Sequence, residues 1–404
     1  MTDAVTGRGL SVGHAAYPLE VARGSSMAGY VARSGTVSGE LHPLEVGAVA
    51  LAGTERTAVL CVADLLHVDD EVAVAVRTAA AAAVGTTADL VWLCATHTHA
   101  GPVPADMARK LVDATVSAAT AAVAAAEPAQ VSLHRTELAE VGGQRAGETR
   151  RSTVPVDVVR VGDPDGSLRG LLGVVPVHPT VLGADNTRLS PDLPGAVRRA
   201  LPVWSLVATG AAGDVSTRSH RRAQTPDELD RLGGITARAL LAAADGASVA
   251  TAADVVGGWV ESVGLAPSVR NAATRAEAVE AARLVLDRAR ASGDDGRVRD
   301  ATVALEGAEL ASAQTSSGPV PCATAYLDLG GFRLLGLGGE PFLDLAPGGT
   351  DVLVGYANGY AGYLPTRAAF AAAAARPDHP EYEVLVSRVA PGQPERALAV
   401  AAFG

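Results

Sequence analysis

The chain has 404 residues, of which 48% are hydrophobic and 19% charged, so it can bury a large core and is not a disordered polymer. The net charge of -11 argues against binding to a phosphate backbone, which needs a basic surface, and we expect no nucleic-acid partner. Aromatic residues make up only 3%, so we expect a core of Ala, Val and Leu.

Cysteine content and the N-terminal sequence indicate the compartment. Cys61, Cys94 and Cys322 are expected to be buried free thiols. The first twenty residues lack the basic and apolar regions of a signal peptide, and no stretch reaches about 18 uninterrupted apolar residues. We therefore expect a soluble, cytoplasmic protein with no stable membrane insertion.

The first half of the chain predicts a βαβ unit. Residues 57–64 and 90–95 are short, continuous apolar runs, which is typical of strands covered on both faces. Residues 68–84 between them begin with three carboxylates, which favour a helix N-terminus. A second predicted helix, 105–126, leads into a predicted strand at 131–138.

An antiparallel pair follows. Two strand runs within 154–177 are joined by a Gly-Asp-Pro-Asp-Gly turn at 162–166, which predicts a hairpin. Further along, 201–209 reads as a buried strand, 226–244 as a helix and 254–263 as a strand.

The last third predicts a helical arm and a return to strands. Helices over 274–291 and 300–313 predict a helical-hairpin arm at about 271–313. Residues 315–322 are the best linker candidate, and 323–338 resumes two buried strands. The fold class predicted is α/β, with mixed β-sheets flanked by helices in one large domain.

Three histidines follow predicted strands. His97 and His99 come directly after 90–95, so at a period of two both imidazoles project to the same side, at the strand end where α/β sites form. One metal could meet both; alternatively, they are hydrogen-bonded loop histidines. His178 also ends an apolar run, before Pro179. Neutral imidazole suits zinc, and a catalytic zinc site needs roughly three protein ligands and an open position.

Carboxylates and a serine occupy similar places. Glu340 follows a third apolar run, and its carboxylate is either solvated at the rim of the sheet or a metal ligand. Asp214 and Ser216 lie in a small-residue turn after 201–209, where Ser216 is a candidate nucleophile or oxyanion donor. The alternative is a helix N-cap formed by Asp214 or Ser216.

Tyrosines concentrate near the C-terminus. Tyr356, Tyr360 and Tyr363 crowd into a glycine-rich run, and Tyr382 follows. A phenol beside a dication can be deprotonated or can donate to a developing oxyanion, whereas the glycines would also fit a plain loop.

Six motifs in a fixed order resemble those of the neutral/alkaline non-lysosomal ceramidase family. In chain order they are ATHTHAGP, VPVHPT, LSPD at 189–192, AAGDVSTR, GGEPF and ANGYAGYLPT. The resemblance runs from about residue 27 to Glu383. It implies one ceramidase-like catalytic domain over 1–404, without the family's C-terminal β-sandwich domain.

The resemblance also implies roles for particular residues. The zinc ligands it implies are His97, His178, Glu340 and Tyr363. The catalytic residues it implies are His99, Ser216, Tyr382 and Arg145. His99 then moves protons instead of binding metal. Arg145 looks like the arginine of the family's N-R-S-P stretch, although the residues after it differ, and Thr217 and Arg218 replace the Pro and Asn that follow the family's serine.

The reaction implied is zinc-dependent hydrolysis of an amide, with Zn²⁺ polarising the carbonyl and lowering the pKa of its bound water. The substrate is either ceramide-like or a soluble specialised metabolite, because no membrane-docking helix is evident. The alternatives are ester or lactone hydrolysis or acyl transfer on the same zinc scaffold, and a non-catalytic small-molecule binding protein. A homo-oligomer is compatible with the sequence.

Overall fold

The apolar runs form strands of mixed β-sheets. The structure, a computed structural model, describes residues 10–30, 32–146, 150–268, 272–313, 318–376 and 381–403. The longer strands are β1 (Ser11–Pro18), β2 (Glu45–Ala52), β3 (Thr57–Ala63), β4 (Val91–Ala95), β5 (Gln130–Leu138), β6 (Val154–Gly162), β7 (Leu168–Val175), β8 (Trp204–Thr209), β9 (Gly257–Leu265), β10 (Val320–Asp328), β11 (Arg333–Leu337) and β12 (Asp351–Val354). Two-residue strands are Gly39–Glu40, Glu127–Pro128, Gly143–Gln144, Arg188–Leu189, Val215–Ser216, Ala250–Thr251, Glu340–Pro341 and Tyr363–Leu364.

Helices separate these strands. The α-helices are α1 (Asp70–Val84), α2 (Ala108–Ala124), α3 (Asp192–Ala200), α4 (Pro226–Ala244), α5 (Ala272–Ser292), α6 (Asp295–Ala313), α7 (Arg367–Ala374), α8 (Tyr382–Leu385) and α9 (Gln393–Phe403). Short 3-10 helices span Ala88–Leu90, Pro104–Met107 and Leu343–Leu345. Among the described residues, no helix combines the length and the apolar character needed to cross a bilayer.

Three larger sheets carry the architecture. The first has the order β4-β3-β2-β1, with Glu127–Pro128 at its edge, and β3 and β4 are parallel. The second has the order β8-β7-β6-β5, with Ala250–Thr251 at its edge and β7 parallel to β8. The third has the order β9-β10-β11-β12, with β11 parallel to β12. The mixed α/β fold class predicted from the sequence is confirmed.

The inner faces of the three sheets share one core. Alternation along β3 directs Leu60 inward, where it belongs to the same cluster as Leu172 of the second sheet and Leu334 of the third. The next residue of β3, Cys61, faces outward against α1 and α2. Helices α3 and α4 cover the outer face of the second sheet in the same way. The result is a layered sandwich whose sheets are covered by helices.

Most predicted elements are confirmed with small shifts at their ends. The βαβ unit, the hairpin at 154–177, helix α4 and the two helices predicted at 274–291 and 300–313 all form. The linker prediction at 315–322 is wrong in part, because Val320 already begins β10, and residues 315–317 lie outside the described residues. The three cysteines are buried free thiols, as expected.

Candidate active site

Strand ends of the three sheets converge on one place. His97 follows β4 by two residues, His178 follows β7 by three, and Glu340 follows β11 by three. Loop hydrogen bonds join the sheets there; the Thr209 hydroxyl, at the end of β8, donates to the carbonyl of Thr96 at 2.7 Å. Each sheet therefore delivers one chemically active side chain to a common point.

Backbone carbonyls orient two of the imidazoles. His97 has a φ of 63°, a left-handed conformation that is uncommon outside glycine and in which Asn, Asp and His are enriched. Its Nδ1 donates to the carbonyl of Leu66 at 2.7 Å, and Nδ1 of His178 donates to the carbonyl of Ala212 at 2.9 Å. With Nδ1 acting as the donor, the Nε2 lone pair of each ring faces the common point.

The ring nitrogens and a carboxylate lie within metal-binding reach of one another. Nε2 of His97 is 3.0 Å from Nε2 of His178 and 3.3 Å from Nε2 of His99, and the three imidazoles form a cluster of metal-binding type. Glu340 Oε2 is 3.4 Å from His97 Nε2 and 3.5 Å from His178 Nε2. That oxygen is buried and accepts no hydrogen bond from any described residue. Imidazole nitrogens with a carboxylate oxygen are a typical zinc donor set, so these residues fit a zinc ion.

Close backbone approach at two glycines shapes the site. A Cβ on Gly213 would lie 3.0 Å from the carbonyl carbon of Glu340, where ordinary contact begins at 3.4 Å. Gly29 has a φ of +102°, and a Cβ there would lie 2.7 Å from Cα of His99. Both positions require glycine, because the chain segments on which Glu340 and His99 sit are packed directly on them.

Burial and Arg145 set the protonation states. Burial lowers the pKa of His178 well below its ordinary value, and the charge of Arg145 lowers it further. The pKa of His99 is lowered in the same way, by burial first and then by His97 and Arg145. Burial raises the pKa of the Glu340 carboxyl, but the charges of His97 and Arg145 and a hydrogen bond from Tyr360 outweigh burial and lower it overall. The neutral rings of His99 and His178 beside an ionised Glu340 carboxylate are forms that suit metal binding.

The tyrosine-rich run surrounds this cluster, as its concentration in the sequence suggested. The Tyr360 hydroxyl donates to Glu340 Oε1. The ring of Tyr356 stacks on His97 with centroids 4.3 Å apart, and the ring of Tyr363 lies parallel to His178 at 6.4 Å. Burial, followed by the charge of Glu340, holds the pKa of Tyr363 well above its ordinary value.

Arg145 and Tyr382 lie near Tyr363. The Nε of Arg145 forms an ion pair with Glu383 at 2.9 Å, and its Nη2 donates to the carbonyl of Gly213 at 3.2 Å. The rings of Tyr382 and Tyr363 meet edge to face with centroids 6.1 Å apart. Burial raises the pKa of Tyr382 to about 12, so its hydroxyl keeps its proton and can donate it to an oxyanion.

Asp214 and Ser216 have structural partners, but no helix begins at either residue. Asp214 Oδ1 accepts from the backbone N–H of Leu343 at 2.7 Å, and Oδ2 accepts from the Gln144 side chain at 2.9 Å. Ser216 lies in a two-residue strand, and its Oγ accepts from the backbone N–H of Arg218 at 3.4 Å. The alternative prediction of a helix N-cap is therefore wrong, since the turn leads into a strand.

Sequence reasoning missed several supporting residues. His67 and the carbonyls of Leu66 and Ala212 gave no signal, because only the folded chain brings them to the cluster. Asp192, in the LSPD motif, is buried with a φ of 52°, and its carboxylate accepts N–H bonds in the loop after His178. For Asp192, the LSPD motif was the signal in the sequence.

The architecture is that of ceramidases of known structure. The chain is similar to a ceramidase complexed with C2, with a TM-score of 0.72 at 17% identity over 97% of this chain and 74% of that one. It is equally similar to the neutral ceramidase of Pseudomonas aeruginosa, with a TM-score of 0.71 at 17% identity over 97% of this chain and 73% of that one. No protein-family model and no curated protein sequence matches the chain. At this identity the likeness establishes the fold, in agreement with the fold expected from the six motifs.

Proposed function

We propose that this protein is a zinc-dependent hydrolase that cleaves the amide bond of an N-acyl substrate. The observation that carries the proposal is the buried meeting of three Nε2 atoms with a Glu340 oxygen that has no hydrogen bond within the described part of the chain. Burying these groups is unfavourable unless a partner satisfies them, and a dication bound by His97, His178 and Glu340 would satisfy two imidazoles and the carboxylate at once, with His99 beside it.

We assign His97, His178, Glu340 and Tyr363 as the zinc ligands. The support for the two histidines is that each donates Nδ1–H to a carbonyl, as metal-bound histidines do. Bound there, zinc would supply a Lewis acid for the substrate carbonyl and would lower the pKa of a water molecule towards neutrality.

His99 is assigned to proton transfer. Its Nδ1 is buried and makes no hydrogen bond with a described residue, in contrast to the anchored rings of His97 and His178. Burial keeps its imidazole neutral, so it can accept a proton from the attacking group and return it to the leaving amine.

Tyr382 and Arg145 are assigned to stabilise the oxyanion. Tyr382 keeps its hydroxyl proton, and Arg145 holds a fixed positive charge against Glu383. Both can stabilise negative charge that develops on the carbonyl oxygen. Ser216 is assigned either as the nucleophile or as a further donor.

The substrate class is a small molecule with a linear N-acyl amide, either ceramide-like or a soluble metabolite. The similarity of the fold to ceramidases favours an amide. We place the protein in the cytoplasm as part of the same proposal.

The test is metal analysis followed by activity on a panel of amides, esters and lactones. We expect one zinc per chain in the purified protein, lost in His97→Ala and Glu340→Gln together with amide hydrolysis. His134→Ala is the matched control, since His134 lies on β5 and hydrogen-bonds Ser132 at 2.9 Å. Zinc-free wild-type protein, or His97→Ala with unchanged amide hydrolysis, would contradict the proposal. Turnover of esters or lactones alone would move the assignment to that reaction, and bound zinc without any turnover would indicate a binding protein.

A further inference from the structure

Two further side chains, Tyr360 and His67, lie behind Glu340. The Tyr360 hydroxyl donates to Oε1 of Glu340, which leaves Oε2 directed at the imidazoles of His97 and His178. A carboxylate attached through a flexible side chain keeps one orientation only when its other oxygen is held. The position of Tyr360 therefore decides where the metal-facing oxygen of Glu340 lies.

His67 holds Tyr360 in that position. The two rings stack with centroids 4.2 Å apart and planes 11° from parallel. Such a contact covers one face of the phenol and prevents the ring from swinging away from Glu340. His67 itself is restrained on the other side, because its Nε2 lies 3.4 Å from Asp69 Oδ1.

The same chain segment also orients a second residue of the cluster. His67 follows Leu66, whose carbonyl accepts the Nδ1–H of His97. The loop from Leu66 to Asp69, between β3 and α1, thus acts on the cluster in two ways: the carbonyl of Leu66 contacts His97 directly, and the ring of His67 acts on Glu340 through Tyr360. A displacement of this loop changes the positions of both His97 and Glu340.

We infer that His67 is a positioning residue that acts through Tyr360 to fix Glu340 in its metal-binding orientation. This inference rests on the proposed zinc site. His67 binds no metal itself, and it is the stacked ring, more than the polar contact with Asp69, that fixes Tyr360. Outer-layer partners of metal ligands commonly change metal affinity by about 10- to 100-fold.

The test measures zinc affinity by competition with a chromophoric chelator. We expect His67→Ala and Tyr360→Phe each to weaken zinc binding by roughly 10-fold or more, and the double variant to be no weaker than Tyr360→Phe alone. His67→Phe, which keeps a ring for stacking but loses the contact with Asp69, should retain most of the affinity. Thermal midpoints of the metal-free proteins, recorded in the presence of a chelator, should fall by no more than about 4 °C, as the loss of one buried hydrogen bond or one stacked ring predicts.

The outcomes separate this inference from the metal site itself. Wild-type protein that binds no zinc overturns both. If the wild-type protein binds zinc but His67→Ala binds it with the same affinity, only the positioning role is overturned. The positioning role is also overturned if the double variant loses affinity by the product of the two single losses. A loss in His67→Phe equal to that in His67→Ala shows that stacking is not the cause and also overturns the inference. If His67→Ala does not fold, His67→Gln, which keeps a polar group but has no ring, takes its place, and wild-type zinc affinity in that variant overturns the inference.

Discussion

Gly213→Ala tests whether close packing of two loops sets the position of Glu340. The new Cβ would lie 3.0 Å from both the carbonyl carbon of Glu340 and the carbonyl oxygen of Pro341, and closer still to the oxygen of Glu340. Since ordinary contact begins at 3.4 Å, the backbone at Glu340 must move by about 0.4 Å at the least. Zinc sites tolerate about 0.2 Å of error in ligand distance, so we expect zinc affinity to fall roughly 10-fold.

The same substitution destabilises the metal-free protein. Overpacking of this kind costs about 1–3 kcal/mol. With about 2.1 cal/mol/K of unfolding entropy per residue, a chain of this length has an unfolding entropy of about 0.85 kcal/mol/K, so the expected fall in Tm is about 1–4 °C.

The assay compares Gly213→Ala with Gly39→Ala, since a Cβ at Gly39 meets nothing within 4 Å. Tm is measured by calorimetry with a chelator present, and zinc affinity by competition. If both substitutions leave Tm and zinc affinity equal, the packing explanation of the Glu340 position is refuted.

Three further predictions use other parts of the structure. Asp64→Ala removes a fully buried carboxylate that pairs with Arg198 at 2.7 Å, so chemical denaturation should show that the free energy of unfolding falls by about 3–5 kcal/mol. Asp230→Ala removes one partner of an exposed pair and should change the free energy of unfolding by less than about 1 kcal/mol. Equal losses in the two variants would contradict this prediction. Burial raises the pKa of Asp214 to about 7. Between about pH 4 and 7 the native state therefore binds more protons than the unfolded state, and stability falls as pH rises. Asp214→Asn should flatten that part of a plot of Tm against pH, and identical plots for the variant and the wild type would exclude this linkage. Tyr382→Phe should lower kcat by roughly 100-fold with zinc affinity unchanged, and unchanged kcat would remove Tyr382 from the oxyanion site.

The sequence predicted which residues follow the strand ends because strands have a simple pattern. Short apolar runs that end in His97, His178 and Glu340 mark strand ends, and parallel strands bring their carboxyl ends to one edge of a sheet. The position of a residue directly after an apolar run therefore indicated that it lies at the end of a strand. The helix starting at Pro226 was equally visible, since Thr225 before it accepts the N–H of Glu228 as a cap.

The sequence could not predict how the three sheets meet. That arrangement depends on contacts between residues far apart in the chain, such as the bonds that Asn358 makes with both backbone groups of Leu93. Asn358 has a φ of 62°, and Asn tolerates this conformation better than most residues, but the sequence does not show which strand it joins. The pairing of Tyr360 with Glu340 was invisible for the same reason.

The distance along the chain between the donors has a consequence for folding. His97 and His178 are 81 residues apart, and Glu340 comes from the third sheet much later in the chain. An ion held by all of them closes long loops, as a cross-link does, and stabilises only the state in which every sheet is in place. The site can form only late in synthesis, after β11 has left the ribosome. If the proposed site holds zinc, loosening of any one sheet would release the ion, and metal content would then report on the integrity of the whole fold.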